Sequence, residues 1–72
     1  MNREMLRYLV ELSNGEVDAV NIEKFYNRYP ETEQVKADLF KMSRAGYLSI
    51  VEGDNRIELI GVNKKAIDYF RK

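Results

Sequence analysis

Ala45-Gly46-Tyr47-Leu48 joins two segments whose apolar residues recur with different periods, a helical segment before it and an alternating one, Leu48 to Ile60, after it. Gly46 is a typical helix terminator because glycine adopts the left-handed conformation at little steric cost. Glu52-Gly53-Asp54-Asn55 has the composition of a tight turn and divides the alternating segment into two strands. The sequence therefore predicts a helix that passes directly into a β-hairpin.

The helix before Gly46 is predicted over residues 31–45. Pro30 interrupts the chain ahead of it, and Glu31 or Thr32 can start the new helix. Acidic residues in its first turn suit the positive end of the helix dipole. Its apolar stripe consists of Val35, Leu39 and Met42.

Two further helices are predicted before Pro30. The first covers about residues 2–13 and ends at Asn14-Gly15, since both residues tolerate a left-handed backbone. Its apolar residues are Met5, Leu6, Leu9, Val10 and Leu12. The second begins after Asn21, a good N-cap residue. Its apolar residues are Ile22, Phe25, Tyr26 and Tyr29.

The remaining segments are shorter. Residues 16–20 alternate polar and apolar side chains, which predicts a short strand with Val17 and Ala19 on one face. In the return strand of the hairpin, Ile57 and Leu59 are expected to share a face. Asn63 is expected to cap a last helix over residues 63–71. Its buried side is marked by Ala66, Ile67 and Phe70.

Composition restricts the classes of function. The 72 residues suffice for one domain, and the absence of Cys and His removes zinc ligands and the commonest nucleophile–base pairs. No metal, cofactor or catalytic residue is predicted, so we expect a protein that is not an enzyme. No signal-peptide core follows Met1 and no apolar window approaches the length of a membrane span, so a cytoplasmic location without membrane partners is expected.

The net charge is zero, but it is unevenly distributed. Residues 1–35 carry four bases against seven acids, a net charge of −3. Residues 36–72 carry eight bases against five acids, a net charge of +3. The positive half contains the third helix, the hairpin and the last helix, which favours that half as the contact for an anionic partner.

The predicted order, α-β-α-α-β-β-α, resembles the winged helix-turn-helix superfamily over nearly the whole chain. The resemblance is based on the third helix, the exit at Ala45-Gly46-Tyr47-Leu48 and the hairpin. It implies a single α+β domain over residues 1–72, with a recognition helix at 31–45, a wing at 47–60 and a last helix at 63–71. It also implies a small DNA-binding regulator.

Carried over onto this chain, the resemblance implies a set of DNA contacts. On the third helix, Gln34 would read adenine, and Lys36, Lys41 and Arg44 would reach guanine edges or phosphates. The wing tip adds Asn55 and Arg56, and the start of the last helix adds Lys64 and Lys65. The alternative is that these residues are the solvated faces of amphipathic elements.

A protein-interaction module that lacks DNA binding is the second interpretation. Glu33 has the wrong sign for a DNA groove, and Glu52 and Asp54 weaken the positive potential of the wing tip. Phe40 either packs under the wing or against the last helix, or it marks a protein contact. Tyr69 and Phe70 are candidate contacts of a homodimer. In the DNA-binding interpretation, such a homodimer would read a two-fold site through paired third helices.

Overall fold

Four helices and a two-stranded antiparallel sheet form an α+β fold in the computed structural model, which describes residues 1–71. The helices precede and follow a single hairpin, so the sheet lies late in the chain. The elements are α1 (Arg3–Leu12), α2 (Ile22–Arg28), α3 (Glu33–Arg44), β1 (Leu48–Glu52), β2 (Ile57–Val62) and α4 (Lys64–Phe70).

The first three helices begin at side-chain caps. The Met5 backbone N–H donates to the Asn2 side chain, and Lys24 N–H and Val35 N–H donate likewise to Asn21 and Thr32, each at 3.1 Å. Each cap satisfies a backbone donor that the helix itself leaves unpaired. The predicted starts of α1, α2 and α3 are therefore confirmed to within two residues.

α1 and α3 end in the same way. After α3, Gly46 has a φ of 90° and donates to Ser43 O, while Tyr47 N–H donates to Met42 O at 2.9 Å. After α1, Asn14 has a φ of 58° and its N–H donates to Glu11 O. Both ends are Schellman motifs, in which a left-handed residue lets backbone donors reach the last helical carbonyls. The predicted stops at Asn14-Gly15 and Gly46 are confirmed.

The hairpin contains a bulge that the apolar pattern did not predict. Val51 pairs with Leu59 and Glu52 pairs with Ile57, so Glu58 is an extra residue in β2. The extra residue reverses the alternation of faces. Ile57 and Ile60 are buried whereas Leu59 is 41 % exposed, so the prediction that Ile57 and Leu59 share a face is wrong.

The segment predicted as a strand at residues 16–20 forms only an isolated bridge, Ala19 to Gly61. Val20 N–H donates to Ile60 O, and Val62 N–H donates to Asp18 O, each at 2.9 Å. Val17 and Ala19 are both exposed, Val17 to 63 %, as expected of residues on one face. The bridge positions this segment beside β2, and Val20 is its buried side chain.

The core lies between the helices and one face of the hairpin. Its largest fully buried side chains are Met5, Leu6, Leu9, Phe25, Leu39, Met42, Leu48, Ile60 and Val62. Phe25 stacks with Tyr29 at a centroid distance of 5.4 Å. All five tyrosines are half-buried around this core. The inner stripe of α3 is thereby fixed, and its opposite side faces solvent.

Candidate nucleic-acid interface

The outward side of α3 and the tip of the hairpin contain most of the predicted contacts. Gln34, Lys41 and Arg44 are exposed on α3, and Asn55 and Arg56 are exposed at the turn. These five residues are called the α3–hairpin surface below. Leu39 and Met42 on the opposite side of α3 are buried, so the core determines which side of the helix is presented.

Three cations of the α3–hairpin surface remain available to a ligand. Within residues 1–71 there are only two ion pairs, Lys36–Glu33 and Lys64–Asp68, each at 2.9 Å. Lys41, Arg44 and Arg56 therefore have no carboxylate partner among the described residues. A cation without a partner can bind a phosphate without first breaking an internal contact.

Lys36 is less available than the sequence suggested. Its Nζ is paired with Glu33 one turn earlier, and its side chain is only 26 % exposed. The hydrogen bond that Lys36 donates to Glu33, together with the charge of that carboxylate, raises the pKa of Lys36. Lys36 stays protonated, but Glu33 offsets its charge for an incoming phosphate.

Gln34 is held by a neighbour on the same helix. Its Nε2 donates to Asp38 Oδ1 at 3.1 Å, and Asn2 Nδ2 donates to the other oxygen of the same carboxylate, also at 3.1 Å. Asp38 therefore links the N-terminus of α1 to α3. Reading of adenine by Gln34 would require the amide to leave Asp38.

The hairpin tip is a narrow turn with mixed charge. Asn55 has a φ of 58°, and Gly53 N–H donates to Arg56 O at 2.8 Å, which closes the loop. Three exposed acids, Glu52, Asp54 and Glu58, lie near Arg56 in the sequence. None of them lies within ion-pairing distance of Arg56, so the side chain of Arg56 stays free.

Lys65 has an internal role that the sequence did not predict. Its Nζ donates to the carbonyl of Ala45, the C-cap residue of α3, and lies 4.6 Å from the centroid of the Tyr47 ring. A cation at the negative end of a helix dipole is stabilising, and the ring adds a cation–π contact. The expectation that Lys65 contacts DNA therefore conflicts with the bonds it already makes.

Two neighbours of Lys65 are also engaged. Lys64 Nζ pairs with Asp68 one turn later in α4. Asn63 occupies the N-cap position of α4, yet its side chain makes no capping bond; it donates to Gly46 O and accepts from Ser49 Oγ. The predicted position of Asn63 is confirmed, but its side chain joins the α3 exit to β1.

The three predicted protein-contact residues lie in two different grooves. Phe40 is half-buried against the core, in a groove between α3 and the hairpin that Ile57 also lines. Tyr69 and Phe70 are half-buried against α1, with their rings T-shaped at 4.9 Å. Charges of both signs line the Phe40 groove, including Glu33, Lys36 and Arg56.

A second basic surface was missed from the sequence. Arg3, Arg7 and Arg28 are exposed and make no ion pair within residues 1–71. Arg7 lies over the Phe70 ring at 5.1 Å, and Arg28 lies over the Tyr8 ring at 4.7 Å. These arginines were not predicted as contacts, because residues 1–35 have a net charge of −3. The available signal was the spacing of Arg3 and Arg7, which places both on one helical face.

Searches for other kinds of site and for known relatives give negative results. Residues 1–71 contain no group of three or more acidic, His or Cys side chains that could hold a metal ion. Nor do they include a helix of the length and apolar character needed to cross a membrane. No family model matches the chain, and no curated protein or solved structure matches it either.

Proposed function

We propose that this chain is a winged-helix module that binds duplex DNA and acts as a small transcriptional regulator. The element order supports the proposal: α2 and α3 correspond to the helix-turn-helix, and β1 and β2 form the wing. The bridge at Ala19 supplies the short pairing that the predicted first strand would make with the wing. α4 follows the wing as the closing helix.

The proposal rests on one observation above the others. Lys41, Arg44 and Arg56 are exposed and unpaired within residues 1–71, and they occupy the two elements that a winged helix presents to DNA. Phosphate contacts from Lys and Arg dominate the affinity of such modules. The neutral net charge of the chain is compatible with binding, because local rather than total charge acts at phosphate distance.

Each residue has a distinct expected role. With α3 in the major groove, Arg44 and Lys41 would contact phosphates or guanine edges, and Gln34 would read adenine once its amide leaves Asp38. Arg56 at the wing tip suits a narrow minor groove or a phosphate, since its planar guanidinium offers several donors. Lys36, Lys64 and Lys65 would contribute less because each already has an internal partner.

Fluorescence anisotropy with a labelled random duplex at low and moderate salt tests the proposal. We expect binding at low salt that weakens steeply as salt rises, with a slope of about −3 if three phosphates are neutralised. Arg56→Ala should reduce the magnitude of that slope by about 1. Absence of binding at low salt and high micromolar protein would refute DNA binding.

A protein-interaction module is the second candidate function. It is favoured by the cross-strand pair Val51 and Leu59, which are 52 % and 41 % exposed on the outer face of the hairpin. Mixed charge around apolar side chains, as in the Phe40 groove, is typical of protein contacts. Amide shifts on addition of duplex discriminate the two candidates: shifts in α3 and the hairpin tip support DNA, and unchanged spectra leave the protein module.

A further inference from the structure

The exposed side of α1 forms a shallow groove with the end of α4. Arg3, Arg7 and Glu11 lie along α1, and Val10, Tyr69 and Phe70 line the groove beside them. These six residues are called the α1 surface. It combines a half-buried apolar floor with an exposed row of charges.

Stacking leaves the arginines of the α1 surface ready for a ligand. The Cζ atoms of Arg3 and Arg7 lie 5.8 and 5.1 Å from the centroid of the Phe70 ring. A guanidinium over a ring face gains a cation–π contact while its in-plane N–H groups stay free to donate. The contacts with the ring therefore do not use the hydrogen-bond donors of the arginines.

The acid of the same surface is also free. Glu11 lies one turn after Arg7, a spacing at which ion pairs commonly form within a helix. No such pair exists here; Arg7 turns to Phe70. The α1 surface thus presents charges of both signs that form no ion pair within residues 1–71, with Arg7 one turn before Glu11.

A surface that carries both positive and negative side chains can be complementary to the same surface of a second copy. We propose that the α1 surface binds a second copy of this chain through a two-fold axis, with Arg7 of each copy opposite Glu11 of the other. An antiparallel crossing of two α1 helices about a two-fold axis allows this arrangement, because the contact between Arg7 and Glu11 is then formed twice. Two identical contacts form at once, and Phe70 would lie beneath each.

A second copy fits better than a polyanion or an acidic peptide. A polyanion would gain from Arg3 and Arg7 but would meet Glu11 with the wrong sign, and Glu4 is exposed on the same helix. A second copy satisfies both signs and also covers Val10 and the two aromatic rings. In a chain of 72 residues with a small core, this added apolar burial would also increase stability.

The inference does not rest on DNA binding. The Arg7–Glu11 contact uses none of the residues assigned to DNA, so self-association is measured on the protein alone. If the protein did not bind duplex DNA, the dimer would still be expected. If the protein were monomeric, it could still bind duplex DNA.

Sedimentation equilibrium on charge-reversed variants tests the contact. Arg7→Glu places Glu opposite Glu in both contacts of a homodimer, and Glu11→Arg places Arg opposite Arg. We expect each variant alone to dimerise at least about tenfold more weakly than the wild-type chain. An equimolar mixture of the two variants should dimerise again, because both contacts then join opposite charges.

Controls separate the contact from general effects of charge and folding. Lys24→Glu changes charge on α2, outside both surfaces, and should leave the dimerisation constant unchanged. Circular dichroism checks that each variant is folded. In the wild-type chain, amide shifts that depend on protein concentration should fall in α1 and α4, which locates the contact without any substitution.

Three results would overturn the inference. One is a wild-type chain that stays monomeric to millimolar concentration. Another is a dimer whose concentration-dependent shifts lie in the hairpin. The third is a mixture of Arg7→Glu and Glu11→Arg that remains as monomeric as its components although both variants are folded.

Discussion

The two halves of the chain differ in how many of their cations have internal partners. The C-terminal half of the chain carries a net charge of +3, yet Lys36, Lys64 and Lys65 all have internal partners there. The half with a net charge of −3 contains Arg3 and Arg7, which stack on rings and pair with no described carboxylate. The comparison teaches that the charge of a segment does not measure the charge that a ligand can reach.

The largest expected effect concerns DNA affinity on the α3 side. Lys41→Ala combined with Arg44→Ala should weaken duplex binding on the order of tenfold to a hundredfold, and should reduce the salt slope by about 2. Both side chains are exposed and make no ion pair within residues 1–71, so their loss should not destabilise the fold. Anisotropy titrations at several salt concentrations measure both quantities.

Lys24→Ala is the matched control for this double variant, because Lys24 is an exposed cation on α2 that has no carboxylate partner in the described part of the chain. It should change the salt slope very little. If Lys24→Ala weakens binding as much as the double variant does, the contact is diffuse and the α3–hairpin surface has no special role.

The next effect concerns the stability of the α3 exit. Lys65→Ala removes the bond to the Ala45 carbonyl and the contact with the Tyr47 ring, and should lower the free energy of unfolding by about 1 kcal/mol. Lys64→Ala removes only an exposed pair within one helix and should cost less than about 0.5 kcal/mol. Thermal or urea unfolding compares the two variants. If the two variants were equally stable, Lys65 would not stabilise the C-terminal end of α3.

A smaller effect is expected when the acid beside Lys36 is removed. Glu33→Gln releases Lys36 and deletes a negative charge from the edge of the α3–hairpin surface, so duplex affinity should rise about threefold. The pKa of Lys36 should fall toward its ordinary value, because the Glu33 carboxylate is what raises it. NMR titration of the lysine side chains measures the change in pKa.

Glu4→Gln removes the same charge from α1 and should leave duplex affinity nearly unchanged. An equal gain from both variants would mean that total charge, rather than the position of the charge, governs binding.

The smallest effect is expected beneath the hairpin tip, at Tyr26. Its hydroxyl is buried and has no hydrogen-bond partner among residues 1–71, and Tyr26 lines a groove that Arg56 also borders. Tyr26→Phe removes an unpaired polar atom and should leave the free energy of unfolding unchanged or raise it by up to about 1 kcal/mol. A loss of more than about 1 kcal/mol would reveal a hidden partner of the hydroxyl. Urea unfolding at neutral pH measures it.

Alkaline pH provides a second measurement on Tyr26. Burial, with a smaller effect of the Glu31 charge, raises the pKa of Tyr26 above its ordinary value of 10.0. The folded state therefore holds this proton more tightly than the unfolded state does, and the resulting stabilisation is present below pH 10.0 and lost as pH rises through the folded pKa. Tyr26→Phe should flatten that alkaline loss, and it should remove a late-titrating phenol from the ultraviolet absorbance curve.

Local chemistry made much of the fold predictable. Asn2, Asn21 and Thr32 cap helices, and Gly46 ends one, because each acts on backbone groups within a few residues. The burial of Leu39 and Met42 followed from helical spacing in the same way. The bulge at Glu58 was not predictable, since it depends on how two strands align across the hairpin.

In the candidate site, too, the features that depend on neighbours in sequence were predictable, and those that depend on tertiary contacts were not. Helical spacing predicted that Gln34, Lys41 and Arg44 would lie outward, and they do. Whether each was free to bind was not predictable: Gln34 is held by Asp38, whereas Lys41 and Arg44 make no ion pair within residues 1–71. The DNA contact itself remains a prediction.

The sequence by itself determined where the helices begin and end and which helical residues face outward, because capping, left-handed turns and apolar spacing act over a few residues. Only the tertiary structure decided which charges remain available. The Lys65 ammonium reaches a carbonyl twenty positions away, and Arg7 stacks on a ring of the last helix. These contacts depend on distances in the folded structure, and a count of charges along the sequence does not give those distances.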